Sequence, residues 1–383
     1  MILVLTAGFG DGHNTAARNV AQALGRLGSG ETVQVVDVFD VAHPFVGPLL
    51  KQGYQALITR WPALWSWTYR HSGGLKFNEG YGDVLLLLRL ALGKLLEKHQ
   101  PRAVVSTYPL YARMLQQIAA GGGYACPLFT VVTDSISIHR TWALGGSHGY
   151  FVADEASKAS LAGLGIATEK ITVSGFPVSL DFMEPPAPEE RNARQTILYL
   201  PSTAVSYVRR TLDALQPVLA TGAKITLPVG KHMPRLYHVL RRFVDTLPED
   251  QVEIIGWTSR MPHLLQTHDL VICKAGGAIL HEAAAARCPA IIDYIVPGQE
   301  EGNAELLTSH ACGVVSHSPE ETGQLASRLL ANNAAEAKKM SESARAISEP
   351  AAAMKVAETV LERLRAAVPM ELPEEWRVKD RVS

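Results

Sequence analysis

The sequence predicts an α/β protein built twice over, with two parallel sheets each wrapped by helices on both faces. Three observations predict it. Short apolar, β-branched runs alternate with longer stretches of helical character, the rhythm of strands buried on both faces. That rhythm runs once through the first half of the chain and again through the second. Between the halves lies Met183-Glu-Pro-Pro-Ala-Pro-Glu-Glu-Arg-Asn192, whose prolines lack amide donors and whose charges resist burial, so it reads as an exposed linker.

Taken in order, strands are expected near Ile2 to Thr6, Val33 to Val38, Ala103 to Ser106, Leu128 to Thr133, Gly149 to Val152 and Ile171 to Ser174. The second set is expected near Thr196 to Leu200, Ile225 to Leu227, Val252 to Ile255, Leu270 to Cys273, Ala290 to Ile292 and Gly313 to Val315. From about Glu349 the chain is rich in Ala, Glu and Arg with apolar spacings of three and four, hence helical to about Ala367. The expected organisation is a first domain over 1–182, a linker over 183–193, a second domain over 194–348 and a helical tail over 349–383. At 383 residues, 47% of them apolar, the chain can fill two cores and exceeds what one usually serves.

Composition excludes several classes. Thirty-six Lys and Arg against 37 Asp and Glu leave a net charge of −1, which gives no global electrostatic case for nucleic acid. The four cysteines, Cys126, Cys273, Cys288 and Cys312, form no C-x-x-C pair and have no His at zinc-ligand spacing, so disulfide and zinc frameworks are not expected and a reducing cytoplasm fits. The N-terminus runs as a strand straight into a glycine loop and has no basic leader region. The best apolar run, Val84 to Leu96, carries Arg89 and Lys94 and is too short for a bilayer, which takes about 20 apolar residues.

The first motif is Thr6-Ala-Gly-Phe-Gly-Asp-Gly-His-Asn14, between the first strand and a helix expected from near Thr15. Its glycines, Gly10 and Gly12 among them, let the backbone approach a ligand, and the helix behind offers free amides and a positive dipole end. The spacing G-x-G-x-G is not the dinucleotide fingerprint, yet Asp37 ends the second strand where a ribose-binding acid could sit, so a plain dinucleotide reading stays open. His13 lies at the carboxyl edge of the sheet, where a neutral imidazole can take a proton from an attacking hydroxyl; capping the helix is the plainer alternative. A second constellation is Val131-Val-Thr-Asp134 followed by His139 and Trp142. Asp134 either orients an imidazole or holds an acceptor hydroxyl, or it only caps the next turn.

The densest motif is Cys273-Lys-Ala-Gly-Gly-Ala-Ile-Leu-His-Glu282. A strand leads into the turn Gly276-Gly277 and an alanine-rich helix, a ready cradle for a diphosphate, with close helix–strand packing as the alternative. Glu282 is placed to accept hydrogen bonds from ribose hydroxyls, or else is simply solvated. After the next strand, Pro297-Gly-Gln-Glu-Glu-Gly-Asn303 sets Gln299, Glu300 and Asn303 on a glycine-framed loop suited to several sugar hydroxyls, or to an ordinary polar turn. No D-x-D metal-chelating pair occurs, so no metal site and no cofactor are expected. Helix amides, with Lys231, are expected to stabilise a departing diphosphate.

Together these motifs resemble glycosyltransferase family 28, and within it the monogalactosyldiacylglycerol synthases and processive diacylglycerol glucosyltransferases. The likeness is carried by Gly10-Asp-Gly-His13, Thr133-Asp134 with His139 and Trp142, Ser174-Gly-Phe-Pro-Val178, Gly230-Lys-His, Gly256-Trp-Thr-Ser-Arg-Met-Pro262, Asp269 to Gly277, Glu282 and Pro297 to Asn303. The resemblance implies a GT-B fold: two Rossmann-like domains facing a cleft, the C-terminal helices crossing back onto the first. It implies a UDP-sugar donor bound by the second domain through Gly230, Lys231, Gly276 and Gly277. Gly256 to Met261 then form the wall that meets uracil, Glu282 is the ribose ligand, and Gln299, Glu300 and Asn303 sit at the sugar. His13 takes the catalytic role with Asp134 near it, and Gly10, Gly12, His139 and Trp142 fall on the acceptor side. One departure stands out. Where relatives carry a glycine-rich turn, this chain has Leu200-Pro-Ser-Thr-Ala204; Pro201 has no amide to offer, and the hydroxyls of Ser202 and Thr203 are the expected substitutes.

The expected reaction is an inverting transfer of a hexose to a diacylglycerol-type lipid. Two alternatives share the scaffold: N-acetylglucosaminyl transfer to a polyprenyl-linked acceptor, and 2-epimerisation of a sugar nucleotide. A binding protein without activity is the third. Trp61, Trp65 and Trp67, with Lys and Arg close by, either dock the protein on the inner face of the cell membrane or form an aromatic core.

Overall fold

The computed structural model describes residues 1–28, 30–42, 53, 82–186, 194–297, 300–366, 373 and 376, and the side chains of these except for 82–85 and Lys231. Trp61, Trp65, Trp67, Gln299 and most of the expected linker lie outside the described residues. The chain forms two compact units, Met1–Leu180 with Ala351–Ser383, and Asp181–Pro350.

The first unit opens with β1 (Ile2–Thr6), α1 (Asp11–Arg26), β2 (Val33–Asp37) and α2 (Val38–Ala42). It continues with α3 (Gly82–His99), β3 (Ala103–Ser106), α4 (Leu110–Ala120), β4 (Leu128–Val131), β5 (Gly149–Val152), α5 (Glu155–Gly163) and β6 (Ile171–Val173). Its strands pair in parallel in the order β2-β1-β3-β4-β5-β6. The second unit runs β7 (Thr196–Tyr199), α6 (Val205–Leu219), β8 (Lys224–Pro228), α7 (Met233–Val244), β9 (Val252–Ile255) and α8 (Met261–Thr267). There follow β10 (Leu270–Lys274), α9 (Gly277–Ala286), β11 (Ala290–Tyr294), α10 (Glu301–Ser309), β12 (Gly313–Val315) and α11 (Pro319–Ser343). This sheet is also parallel, in the order β12-β11-β10-β7-β8-β9. A last helix, α12 (Ala352–Arg365), belongs to the first unit.

All twelve expected strands are present, each end within two residues of its expected place. Both units are therefore Rossmann-like α/β sheets. The strands form because their side chains are apolar on both faces: every residue of β1 is buried, and only helices on both sides can supply that burial. Ile2 and Val4 pack on one side with Ala17, Val20 and Leu24 of α1, while Leu3 and Leu5 pack on the other with Leu88, Leu92 and Leu96 of α3. Helix α1 buries Ala16, Ala17, Val20, Ala23 and Leu24, spaced as one helical face.

Helix α12 completes the first core. Val356, Val360 and Leu361 are buried against α1 and the sheet, each contributing about 1.5–3 kcal/mol of hydrophobic burial. Arg363 donates to the His148 carbonyl at 2.8 Å, and Arg102 donates to the Leu364 carbonyl at 2.6 Å. In the second unit α6 and α11 approach so closely at Gly323 that a Cβ there would fall 2.1 Å from the Ala214 carbonyl oxygen. Ser318 caps α11 by accepting from the Glu321 amide at 3.1 Å, and the His317 amide donates to Glu321 Oε2 at 2.7 Å.

The order of each sheet fixes where a ligand can lie. From β1 the chain moves outward to β2, and it later returns on the other side at β3, so the loops after β1 and β3 diverge. In the second sheet the same reversal falls between β7 and β10. Such switch points open a crevice beyond the carboxyl ends of the strands. One expectation is corrected here: α1 starts at Asp11, not near Thr15, so His13 stands within its first turn. Gly10 turns the chain into that helix at φ 144°, a conformation only glycine adopts freely, and Asp11 in the first turn suits the helix dipole.

Candidate active site

In the first unit the loop after β1 is pinned from below. The Gly8 amide donates to Asp37 Oδ2 at 2.8 Å and the Phe39 amide donates to Oδ1 at 3.0 Å. Asp37 thus braces the glycine loop and the start of α2 with the carboxylate that a dinucleotide reading would assign to ribose. Above Gly10 a Cβ would meet nothing within 4 Å, so it is the backbone angle that requires glycine there.

His13 projects from the first turn of α1 toward β3 and β4. Its Nδ1 is 2.9 Å from the Thr133 hydroxyl, just past the end of β4. Thr107, just past β3, donates from Oγ1 to the His13 carbonyl at 3.0 Å. Tyr108 meets the imidazole edge-on, with ring centroids 5.3 Å apart, and Trp142 is tilted against it at 6.2 Å. The ring is only half-buried by surface, but protein packs densely around it. That desolvation disfavours the imidazolium and lowers the pKa to about 4, against a smaller upward pull from hydrogen bonding with the Thr107 backbone. The imidazole is neutral at pH 7.

Asp134 accepts the Trp142 indole N–H at Oδ2, 2.7 Å away. Desolvation raises its pKa to about 6, opposed by the bonds from Trp142 and from the His139 backbone. The carboxylate thus turns to Trp142 and the imidazole to Thr133, and Trp142 is the neighbour they share. His139 directs its ring to Thr141, with Nδ1 2.8 Å from Oγ1, and caps the short turn carrying Trp142. His13, Asp134, His139 and Trp142 are therefore brought together at the sheet edge beside Gly10 and Gly12.

In the second unit Gly276 caps α9 and Gly277 opens it, after β10 and beside the switch point. Lys274, the last residue of β10, sends its ammonium over this turn: its Nζ lies 3.7 Å from where a Gly276 Cβ would stand. The ammonium also donates to Glu300 Oε1 at 2.6 Å, while Glu300 Oε2 accepts the Val296 amide at 3.0 Å. Asn303 donates to the Ala275 carbonyl at 3.1 Å. Glu300 and Asn303 are both buried and hold the loop after β11 onto the turn after β10. Glu282, in the second turn of α9, is half-buried. Gly230 carries φ 51° at the start of a short 3-10 turn after β8, and Lys231 follows it. Gly256 follows β9, and Met261 begins α8. The hydroxyls of Ser202 and Thr203, after β7, are buried.

Three contributors were not singled out from the residues alone. Thr107 and Thr133 are hydroxyls one or two residues past strand ends, and Lys274 is a cation two residues ahead of a Gly-Gly turn. The position of each relative to its strand was the available signal. Among the described residues no group of three His, Cys, Asp or Glu side chains could hold a metal.

Residues 13–178 match the family model of monogalactosyldiacylglycerol (MGDG) synthase, and residues 202–364 match that of the glycosyltransferase family 28 C-terminal domain. A processive diacylglycerol beta-glucosyltransferase of Bacillus cytotoxicus is 26% identical over 97% of both chains. The enzyme of that name from Bacillus subtilis is 23% identical over 86% of this chain and 87% of its own. Among solved structures, Acinetobacter baumannii MurG superposes with a TM-score of 0.60 at 16% identity, covering 94% of this chain and 99% of its own. The UDP-GlcNAc 2-epimerase of Neisseria meningitidis gives 0.60 at 13% identity over 94% and 99%. At those identities the structures speak to the fold alone, which is the GT-B fold. With one family model on each unit and the two taking in most of the sequence, the chain belongs to glycosyltransferase family 28, alongside the monogalactosyldiacylglycerol synthases, and is a hexosyltransferase.

Proposed function

We propose that this protein transfers a hexose from a UDP-sugar to a diacylglycerol-type lipid, inverting the anomeric centre, at the inner face of the cell membrane. The observation that carries the proposal is the similarity to a protein named processive diacylglycerol beta-glucosyltransferase, which takes in 97% of this chain and 97% of that one.

The chemistry is assigned to the residues described above. With Nδ1 holding its proton toward the Thr133 hydroxyl, Nε2 of His13 keeps a lone pair. It takes the proton of the acceptor hydroxyl as that oxygen attacks the anomeric carbon. Asp134 keeps Trp142 in place beside the imidazole. The diphosphate leaves with growing negative charge, which the amides of Gly276 and Gly277 and the Lys274 ammonium stabilise. Glu282 accepts the ribose hydroxyls, and Gln299 contacts the sugar. Glu300 and Asn303 shape that sugar loop from within. Lipid contact is supported by Leu86, Leu87 and Leu90, which are 40%, 47% and 51% exposed on one face of α3. Among the described residues no helix is long and apolar enough to cross a membrane.

The test is incubation of the purified protein with radiolabelled UDP-glucose, UDP-galactose and UDP-N-acetylglucosamine, each with diacylglycerol vesicles or a polyprenyl-linked acceptor. Label is expected in the lipid phase with diacylglycerol and a hexose donor. Label appearing only on the polyprenyl acceptor, or a 2-epimer formed with no lipid added, would replace the proposal.

A further inference from the structure

After β7, at the switch point of the second sheet, the chain turns through Leu200-Pro-Ser-Thr203. Pro201 brings no amide to that turn. The Ser202 and Thr203 hydroxyls are buried, and neither has a hydrogen-bond partner. The Tyr199 hydroxyl, at the end of β7, is in the same state, as are both carboxylate oxygens of Asp293, 3% exposed near the end of β11. Tyr199, Thr203 and Asp293 are neighbours, and Ser202 adjoins Thr203 in the turn. The Asp293 carboxyl and the Thr203 hydroxyl both act on the Tyr199 phenol. Tyr207 donates to the Asp293 carbonyl at 2.8 Å, which ties the first turn of α6 to the same strand end. Tyr199 acts on Asp293, and Thr203 on Tyr199, as hydrogen-bonding neighbours would, yet neither pair meets the distance and angle of a hydrogen bond.

Native interiors rarely leave such atoms unpaired, so a group of them calls for a guest or a role. Every atom here is oxygen, and the formal charge of the set is that of one carboxylate. No cationic side chain is among the groups that act on Asp293, whose pKa burial pushes up to about 7. An uncompensated carboxylate in the interior is costly. A divalent ion would be over-charged for one carboxylate, and a soft metal would want sulfur or nitrogen. A hard monovalent cation matches both the charge and the donor atoms.

We propose that Asp293, Tyr199, Thr203 and Ser202 form a buried site for an alkali cation, potassium or sodium, beneath the turn that follows β7. The ion neutralises Asp293, joins the ends of β7 and β11, and fixes the Pro201–Thr203 turn without the amides a glycine turn would supply. Neither Cys273 nor any histidine is required as a ligand.

The test is thermal melting of the full chain in potassium, sodium and N-methylglucamine chloride at matched ionic strength. A site filled well above its dissociation constant should raise Tm by about 5 °C in one of the alkali salts over N-methylglucamine. Asp293→Asn, which keeps the shape and removes the charge, and Thr203→Val, which removes one oxygen, should each lose that increment. Crystals grown with thallium(I) should show an anomalous peak against the Asp293 carboxylate. Equal melting in all three salts without a thallium peak at Asp293 overturns the proposal, as does an increment that survives in both variants. Neither readout involves turnover, so the outcome is independent of the transferase reading.

Discussion

Lys274 Nζ and Glu300 Oε1 lie 2.6 Å apart, and this ion pair joins the turn after β10 to the loop after β11. The pair is asymmetric: Lys274 keeps 37% of its side chain exposed while Glu300 keeps 9%. The lysine end is open to solvent but the carboxylate is not, so removing the ammonium would leave a buried charge held only by the Val296 amide. Its use is to hold an ammonium over Gly276 and Gly277.

Lys274→Ala is therefore expected to raise the donor KM about 10- to 100-fold, the loss of one charged hydrogen bond to a diphosphate, and to lower Tm as well because Glu300 loses its cation. Steady-state kinetics over a range of UDP-sugar concentrations measures it. A large fall in Tm with an unaltered donor KM would make the lysine structural.

The acid limb of kcat/KM should report Asp134 and not His13. Burial lowers the imidazole pKa to about 4, so His13 is already neutral throughout the range above that pH. Burial raises the Asp134 pKa to about 6, so its carboxylate is lost as pH falls through 6, and with it the charged partner of Trp142. The rate is expected to be level above about pH 7 and to fall below about 6, and Asp134→Asn should move the remaining limb toward pH 4. An unmoved limb in Asp134→Asn would assign it to another group.

Gly323→Ala should destabilise the second unit by about 1–3 kcal/mol, the usual cost of forcing an extra methyl into a packed contact. The new Cβ would stand 2.1 Å from the Ala214 oxygen and 2.7 Å from its carbonyl carbon, both backbone atoms that cannot swing aside. Urea unfolding measures it, and an unchanged midpoint would mean that α6 and α11 separate freely.

Most strands were legible because burial on both faces leaves a short, β-branched apolar run, as in β1, while β2 and β9 carry a polar residue and are less buried. The start of α1 was not: Asp11 and Gly12 resemble loop residues, and only Gly10 at φ 144° shows where the helix is capped. His13 and Asp134 were legible as residue types at strand ends, and Trp142 as part of the Asp134 constellation, but the contact of His13 with Thr133 was not. Thr133 reaches His13 across 120 residues of sequence, and no local spacing encodes that contact. Glu300 and Asn303 read as free polar groups on a loop, yet both are spent within the fold on Lys274, Val296 and Ala275. The turn at Ser202 and Thr203 read as open hydroxyls and proves buried, because β11 places Asp293 beneath it.

The most direct measurement compares wild type with His13→Ala for transfer of radiolabelled hexose from its UDP donor into diacylglycerol. A neutral, held imidazole acting as the base predicts a loss of about 10²- to 10⁴-fold in kcat with little change in donor KM. Turnover by His13→Ala at the wild-type rate would contradict it.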